Sequence, residues 1–113
     1  MATHTYTVDT FISDHGPDPV NKYVHSLPKD EKGAILAAFL DIAQNGWSGL
    51  TDVRPIAPKL WEIKVSQHRV FYTAYGTEVV LLHAYKKQSD KAPMTEINTA
   101  KSRLSTENKR RGG

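Results

Sequence analysis

The sequence has no cysteine among its 113 residues. This absence excludes a disulfide framework and any thiolate metal site. The histidines do not compensate for it, because no two of them have the three- or four-residue spacing that places two ligands on one helix face. They are His4, His15, His25, His68 and His83. We therefore expect no metal and no cofactor.

Long apolar runs are also absent. No segment reaches the roughly 18 apolar residues that indicate a transmembrane helix. The first residues have neither the basic nor the apolar region of a signal peptide. A glycine-rich phosphate loop and a Gly-x-Ser-x-Gly hydrolase motif are missing as well. We expect a cytoplasmic protein with one domain over residues 1–113, and a flexible basic tail at about 109–113.

Charge is distributed unevenly along the chain. Residues 1–58 carry four basic and seven acidic side chains, whereas residues 59–113 carry eleven basic and five acidic ones. A basic half of this kind is typical of proteins that bind a polyanion such as RNA or DNA. A basic surface without a partner is the alternative.

Residues 59–87 predict three consecutive antiparallel strands. Trp61, Ile63 and Val65 alternate with Glu62 and Lys64, which is the period-2 pattern of a strand. Two tight turns, at residues 66–67 and 76–77, would join this strand to the next two. The continuous apolar run at residues 79–82 indicates a strand buried on both faces.

The strand register predicts a cluster of charges. With two-residue turns, Lys64 faces Arg69 and Arg69 faces Ala84, so Lys86 lies at the same end of the sheet with Glu62 one step behind. Like charges directly opposite each other destabilise a sheet, which favours a functional reason for the cluster. A solvated sheet face with a basic bias explains it equally well.

The remaining segments predict helices around this sheet. Residues 5–10 form a first strand, and residues 18–27 and 28–46 form two helices with amphipathic stripes. Residues 47–58 are expected to be a loop. Pro93 begins a last helix whose apolar stripe is Met94, Ile97, Ala100 and Leu104. The predicted fold is α+β: an N-terminal strand and helical hairpin packed on an antiparallel sheet, followed by a C-terminal helix.

Several sequence pieces, in this order and spacing, resemble the RelE/ParE superfamily of bacterial toxins. They are LWEIKV, HRVFY, VVLLHAYKKQSDKAP, and EI followed by Ala100. The similar region runs from about residue 27 to 104 and is most similar to the HigB-type branch of phage and plasmid genomes. The resemblance implies a RelE-like fold and a ribosome-dependent mRNA endonuclease. It also implies a cognate antitoxin as partner, of the HigA-like helix-turn-helix kind.

The resemblance also suggests catalytic residues. Metal-independent RNA cleavage by the 2′-hydroxyl needs a proton acceptor, cations for the phosphate and a proton donor. Arg69 lies on the strand that carries an active-site arginine in the family, Lys64 at a position that is often basic, and Lys86 in the basic pair after the last strand. Glu62 is a candidate general base, and an ion pair with Lys64 or Arg69 is its alternative role.

Four further residues are expected to contact RNA. They are Arg54, Lys59, His68 and Lys87, although Arg54 could equally be solvated and His68 a plain turn residue. His83, Trp61, Tyr72 and Tyr85 are interpreted as structural core residues.

The sequence also departs from RelE itself. RelE has a second lysine where Glu62 stands here, and a tyrosine where Pro93 and Thr95 follow the basic cluster. Two other functions therefore stay open: a non-enzymatic ParE-like toxin that binds a protein such as DNA gyrase, and an inactive phage-borne relative.

Overall fold

The computed structural model describes residues 5–46, 49, 51–90 and 93–112. Eight elements lie within these residues. In chain order they are β1 (Thr7–Thr10), α1 (Pro19–His25), α2 (Lys29–Asn45), β2 (Asp52–Ala57), β3 (Leu60–Val65), β4 (His68–Tyr75), β5 (Glu78–Lys86) and α3 (Met94–Arg110).

The described strands form one mixed sheet in the order β1-β5-β4-β3-β2. β1 runs parallel to β5, and the other neighbours are antiparallel. The three predicted strands β3, β4 and β5 are confirmed. The expected loop at 47–58 is wrong in part, because β2 occupies Asp52–Ala57. As β2 is an edge strand, it tolerates Pro55, which cannot donate a backbone hydrogen bond. Trp47, Ser48 and Leu50 lie outside the described residues.

The two N-terminal helices lie where the sequence predicts, except that α1 ends at His25 and not at residue 27. The Asp18 carboxylate accepts the backbone N–H of Asn21, and Pro19 occupies the first turn of α1. Pro28 precedes α2. At the other end of α2, Gly46 has φ +59°, a left-handed conformation that glycine adopts without a Cβ clash.

Helices α1 and α2 cover one face of the sheet. Their buried side chains contact alternate residues of the strands. This confirms that the alternating apolar residues of β3 and β4 lie on one face of the sheet. Trp61 and Val65 belong to this face but are only partly buried. The buried members are Val20, Val24, Ile35, Ile42, Ile63, Val70, Tyr72, Val79, Leu81 and Ala84.

The opposite face is covered by α3, so most of it is not a solvated surface. Ala100 is buried there, and Ile97 and Leu104 contact the same cluster, as the apolar stripe of this helix predicts. Met94 was expected on that stripe and is instead 56% exposed. The buried members are Phe11, Leu60, Phe71, Val80, Leu82, Tyr85 and Ala100.

A β-bulge changes the predicted register of β5. Tyr72 opposes Leu81, but Phe71 opposes His83 and not Leu82. Leu82 is therefore an extra residue, and every later side chain of β5 lies on the face opposite to the predicted one. As a result, Arg69 opposes Tyr85, where Ala84 was expected.

The C-terminal residues also differ from the expectation of a flexible tail at 109–113. Helix α3 continues to Arg110, whose Nη2 lies 2.6 Å from Asp14 Oδ1. Arg111 donates to both carboxylate oxygens of Glu78 at 2.9 Å. These contacts attach the end of α3 to the sheet. None of the described helices is both long and apolar enough to cross a membrane.

Candidate functional site

A charged cavity of about 220 Å³ lies on the α3 side of the sheet, beside strands β2, β3 and β4. Four of its described lining residues are basic and two are acidic. They are Arg54, Lys64, Arg69 and Lys87, and Asp52 and Glu62. The cavity therefore has a formal excess of positive charge and is suited to an anionic ligand.

Strand pairing brings these residues together. Asp52 pairs with Lys64, and Lys64 pairs with Arg69, so three charged residues form one row across β2, β3 and β4. Arg54 pairs with Glu62 in the next row. Because paired residues point to the same face of a sheet, both rows project into one cavity.

Glu62 is the buried centre of the site. Its side chain is only 2% exposed, and its Oε1 lies 2.8 Å from Arg54 Nε and 3.8 Å from Arg69 Nε. A buried carboxylate needs such partners, because the loss of hydration is otherwise very costly. The ion pair expected with Arg69 is therefore present, and Arg54 of strand β2 is the nearer partner.

Arg69 is buried and fixed, unlike a typical surface arginine. It is 8% exposed, and its Nη1 donates to the carbonyl oxygens of Ser66 at 2.7 Å and His68 at 3.0 Å. Three groups therefore orient one guanidinium: two carbonyls of the β3–β4 turn and the carboxylate of Glu62. Such an arrangement holds the cation in place before a ligand arrives.

The cavity continues into an adjoining open cleft of about 420 Å³. Lys64, Arg69 and Lys87 line both spaces. The backbone N–H of Lys87 donates to Gln67 O at 2.8 Å, which ties the end of β5 to the β3–β4 turn. The other lining residues of the cleft are polar: Ser66, Gln67, Gln88, Ser89 and Asp90. A long polyanion could therefore extend beyond the cavity along this cleft.

Lys86 does not join the cluster, contrary to the predicted register. It opposes His68, whose side chain lies on the α1–α2 face of the sheet, so Lys86 shares that face. Lys87 lines the cavity in its place. The bulge at Leu82 is the physical reason, because it reverses the parity of the last residues of β5.

Two of the expected RNA contacts lie elsewhere. His68 is 2% exposed, on the face opposite the cavity, and contacts Tyr23 and Glu31. Lys59 is in the turn between β2 and β3, five residues from Lys64 along the chain, and does not line the cavity. Neither residue lines the cavity, and their contact with RNA stays a prediction.

Tyr85 and His83 complete the surroundings of the site. Tyr85 is buried opposite Arg69. Burial raises its pKa to about 12, with a further increase from Glu62 and an opposing effect of Arg69, so its hydroxyl is neutral near pH 7. His83 is a satisfied structural residue, as expected, but on the α3 side: it contacts Glu96 at 2.6 Å and accepts from Arg103 Nη1 at 3.0 Å.

The sequence did not indicate Asp52 as a site residue, because residues 47–58 were expected to be a loop. Lys87 was expected to contact RNA and was not placed among the catalytic residues. The alternation of Val53 and Pro55 with Asp52 and Arg54 is too short and too poor in strand-forming residues to indicate strand β2. The described residues contain no group of three or more histidine or acidic side chains that could hold a metal ion.

Comparison with solved structures identifies the class of fold. A chain of the toxin–antitoxin complex RelBE2 from Mycobacterium tuberculosis matches with a TM-score of 0.52 and 18% identity, over 75% of this chain and 94% of that chain. A chain of the archaeal RelE–RelB complex from Pyrococcus horikoshii OT3 matches with a TM-score of 0.56 and 17% identity, over 77% and 99% of the two chains. The protein therefore has a RelE-like α+β fold.

The family follows from the sequence itself. Residues 22–105 match the family of phage-derived Gp49-like proteins (DUF891). Because this match covers most of the chain, the protein belongs to that family. No curated protein sequence matches it significantly.

Proposed function

We propose that this protein is the toxin of a type II toxin–antitoxin system, of HigB type, and cleaves messenger RNA on the ribosome. The observation that carries the proposal is the cavity in which Arg54, Lys64, Arg69 and Lys87 surround the buried Glu62. Its excess of cations suits a phosphate group, and its position on a RelE-like fold favours RNA as the ligand.

The proposed reaction is attack of the ribose 2′-hydroxyl on its neighbouring phosphate. Charge then increases on the phosphate oxygens, and preorganised cations lower the barrier by stabilising that charge. Arg69 is suited to this role because Ser66 and His68 already orient its guanidinium through Nη1, and Nη2 takes part in neither bond. Lys64 and Lys87 would supply further positive charge from the cleft.

The proton transfers are assigned to two other groups. Glu62 would accept the proton of the 2′-hydroxyl, because it is one of the two carboxylates that line the cavity. Lys87 would protonate the leaving 5′-oxygen, because it lines the cavity where Lys86 was expected. Asp52 is the other carboxylate of the cavity, and it is exposed. Glu62→Gln should therefore reduce cleavage far more than Asp52→Asn.

The proposed partner is a cognate antitoxin of the HigA-like helix-turn-helix kind. A toxin must be silenced in its host, and an acidic antitoxin segment that covers Lys64, Arg69 and Lys87 would do so by charge complementarity. Co-expression with the neighbouring gene should then restore growth. Growth arrest that the neighbouring gene cannot relieve would argue against this partner.

The decisive experiment measures RNA cleavage in the presence of ribosomes. Primer extension should map new mRNA 5′ ends for the parent protein, and Lys87→Ala should reduce the cleavage rate by roughly a hundredfold if it removes a group that acts in the transition state. Lys86→Ala is a matched control, since Lys86 is the adjacent lysine on the other face of the sheet.

Two results would change the proposal. If Lys86→Ala and Lys87→Ala reduce cleavage equally, this cavity is not the active site. If the parent protein cleaves no mRNA but blocks DNA supercoiling by gyrase, the ParE-like function replaces the endonuclease.

A further inference from the structure

Three side chains hold the β3–β4 turn from the face of the sheet opposite the cavity. His68, the first residue of β4, is buried between α1 and α2. Its Nδ1 lies 2.6 Å from the hydroxyl of Tyr23 in α1, and its Nε2 lies 2.7 Å from Glu31 Oε1 in α2. Both ring nitrogens are therefore bonded to a helix.

The partners define the direction of these hydrogen bonds. Because a carboxylate only accepts, Nε2–H donates to Glu31, and in the neutral imidazole Nδ1 then accepts from the Tyr23 hydroxyl. Burial raises the pKa of Tyr23, and the carboxylates of Glu31 and Glu96 raise it further, which keeps the hydroxyl protonated as a donor. The ring of Tyr23 also meets the His68 ring edge to face at 5.7 Å.

The same turn supports two cations of the cavity through its backbone. The carbonyl oxygens of Ser66 and His68 accept from Arg69 Nη1, and the carbonyl oxygen of Gln67 accepts from the Lys87 N–H. Rotation of any of these three peptide groups would therefore displace Arg69 or Lys87.

The turn is strained, so it needs external support. Ser66 has φ +55°, the left-handed region that residues with a Cβ rarely adopt. Such a conformation costs on the order of 1–2 kcal/mol and persists where surrounding contacts determine it. His68 follows the turn directly, and its two helix contacts supply such support.

We propose that Tyr23, Glu31 and His68 are positioning residues, which hold the β3–β4 turn so that Arg69 and Lys87 point into the cavity. The inference rests on the proposed function for its effect on catalysis. The structural link itself can be measured without RNA. Small displacements of catalytic groups commonly cost about a hundredfold in rate, so such a clamp matters for the reaction.

The direct test follows the guanidinium N–H protons of Arg69 by NMR hydrogen exchange. Tyr23→Phe and Glu31→Ala should each accelerate their exchange by about tenfold, because the turn carbonyls lose their fixed orientation. Glu31→Gln should stay within about twofold of the parent, since the amide oxygen can still accept from His68. The signal is assigned by its loss in Arg69→Lys.

Tyr75→Phe is the matched control. It also removes one tyrosine hydroxyl, which donates to Asn108 of α3 at 2.5 Å, far from the turn. This variant should leave Arg69 exchange within about twofold of the parent. If Glu31→Ala exchanges like the parent, or Tyr75→Phe accelerates exchange as much as Tyr23→Phe, the clamp does not exist.

The cleavage rate then tests the catalytic consequence. Tyr23→Phe should lower single-turnover cleavage of ribosome-bound mRNA by about tenfold while its affinity for the ribosome changes little. Faster exchange with an unchanged rate would overturn the positioning role. A parent protein that exchanges as expected but cleaves nothing would overturn the endonuclease and leave the structural link established.

Discussion

Replacement of Arg69 should destabilise the fold, although its sequence context predicts the opposite. Lys64 and Arg69 oppose each other in adjacent strands, and removal of one like charge should on that ground stabilise the sheet slightly. The structure changes this expectation, because Arg69 is only 8% exposed and its guanidinium is bonded to two carbonyl oxygens and near Glu62.

The magnitude follows from those contacts. Hydrogen bonds that involve a charged group contribute roughly 1.5–3 kcal/mol each, and both carbonyl bonds of Arg69 use the same Nη1. In Arg69→Ala, Glu62 still forms its ion pair with Arg54. This pair is a weaker stabiliser, because the side chain of Arg54 is 59% exposed and water screens its attraction for Glu62. Arg69→Ala should therefore cost about 2–4 kcal/mol of unfolding free energy.

Urea denaturation of the parent and of Arg69→Ala measures this cost. A second variant tests its cause: Arg69→Met with Glu62→Leu removes both charges and keeps apolar volume, and should cost less than Arg69→Ala alone. If Arg69→Ala unfolds within about 0.5 kcal/mol of the parent, the guanidinium is not held as described. Loss of toxicity in Arg69→Ala is therefore ambiguous, and Lys87→Ala is the better probe of the site.

Four other outcomes are expected. Cleavage or RNA binding should weaken steeply between about 50 and 200 mM salt, because lysines and arginines that bind phosphates release counterions from the RNA. A flat salt profile in a filter-binding assay would contradict this. Lys64→Ala should change the melting temperature little, since the side chain is exposed, yet abolish growth arrest on induction. The pKa of Tyr85 is raised to about 12 in the folded protein, so the unfolding free energy should fall as the pH rises from about 10 to 12. Urea titration should show a smaller fall for Tyr85→Phe, which has no hydroxyl to ionise at this position. Arg111→Ala should cost about 0.5–1 kcal/mol, and high salt should reduce this difference in melts, because the bonds to Glu78 are partly exposed.

The sequence was sufficient for the elements with a regular pattern. Strict alternation in β3 identified the core face of that strand. Asp18 as a side-chain cap, Pro28 through its restricted backbone and Gly46 through its positive φ marked the helix ends. These signals are local, so they need no knowledge of the partner element. Strand β2 lacked such a signal, because Asp52 and Pro55 are unfavourable in most strands and are tolerated only by its edge position.

The candidate site depended on a longer-range feature that the sequence leaves open. The run from Val79 to Leu82 is apolar at every position, so alternation cannot reveal where one residue is inserted. The bulge at Leu82 therefore decides whether Lys86 or Lys87 lines the cavity with Arg69. Arg69, Lys64 and Glu62 lie before the bulge and were brought together as predicted.

The buried Glu62 explains how the sheet tolerates so many cations in one place. Like charges that line one cavity repel each other, so Arg54, Lys64 and Arg69 alone would destabilise this part of the sheet. Glu62 lies between the two arginines and offsets part of that repulsion. The turn carbonyls of Ser66 and His68 also attract the Arg69 guanidinium. Glu62 and Asp52 neutralise only part of the positive charge that the four basic residues bring to the cavity. A bound phosphate would neutralise the remainder.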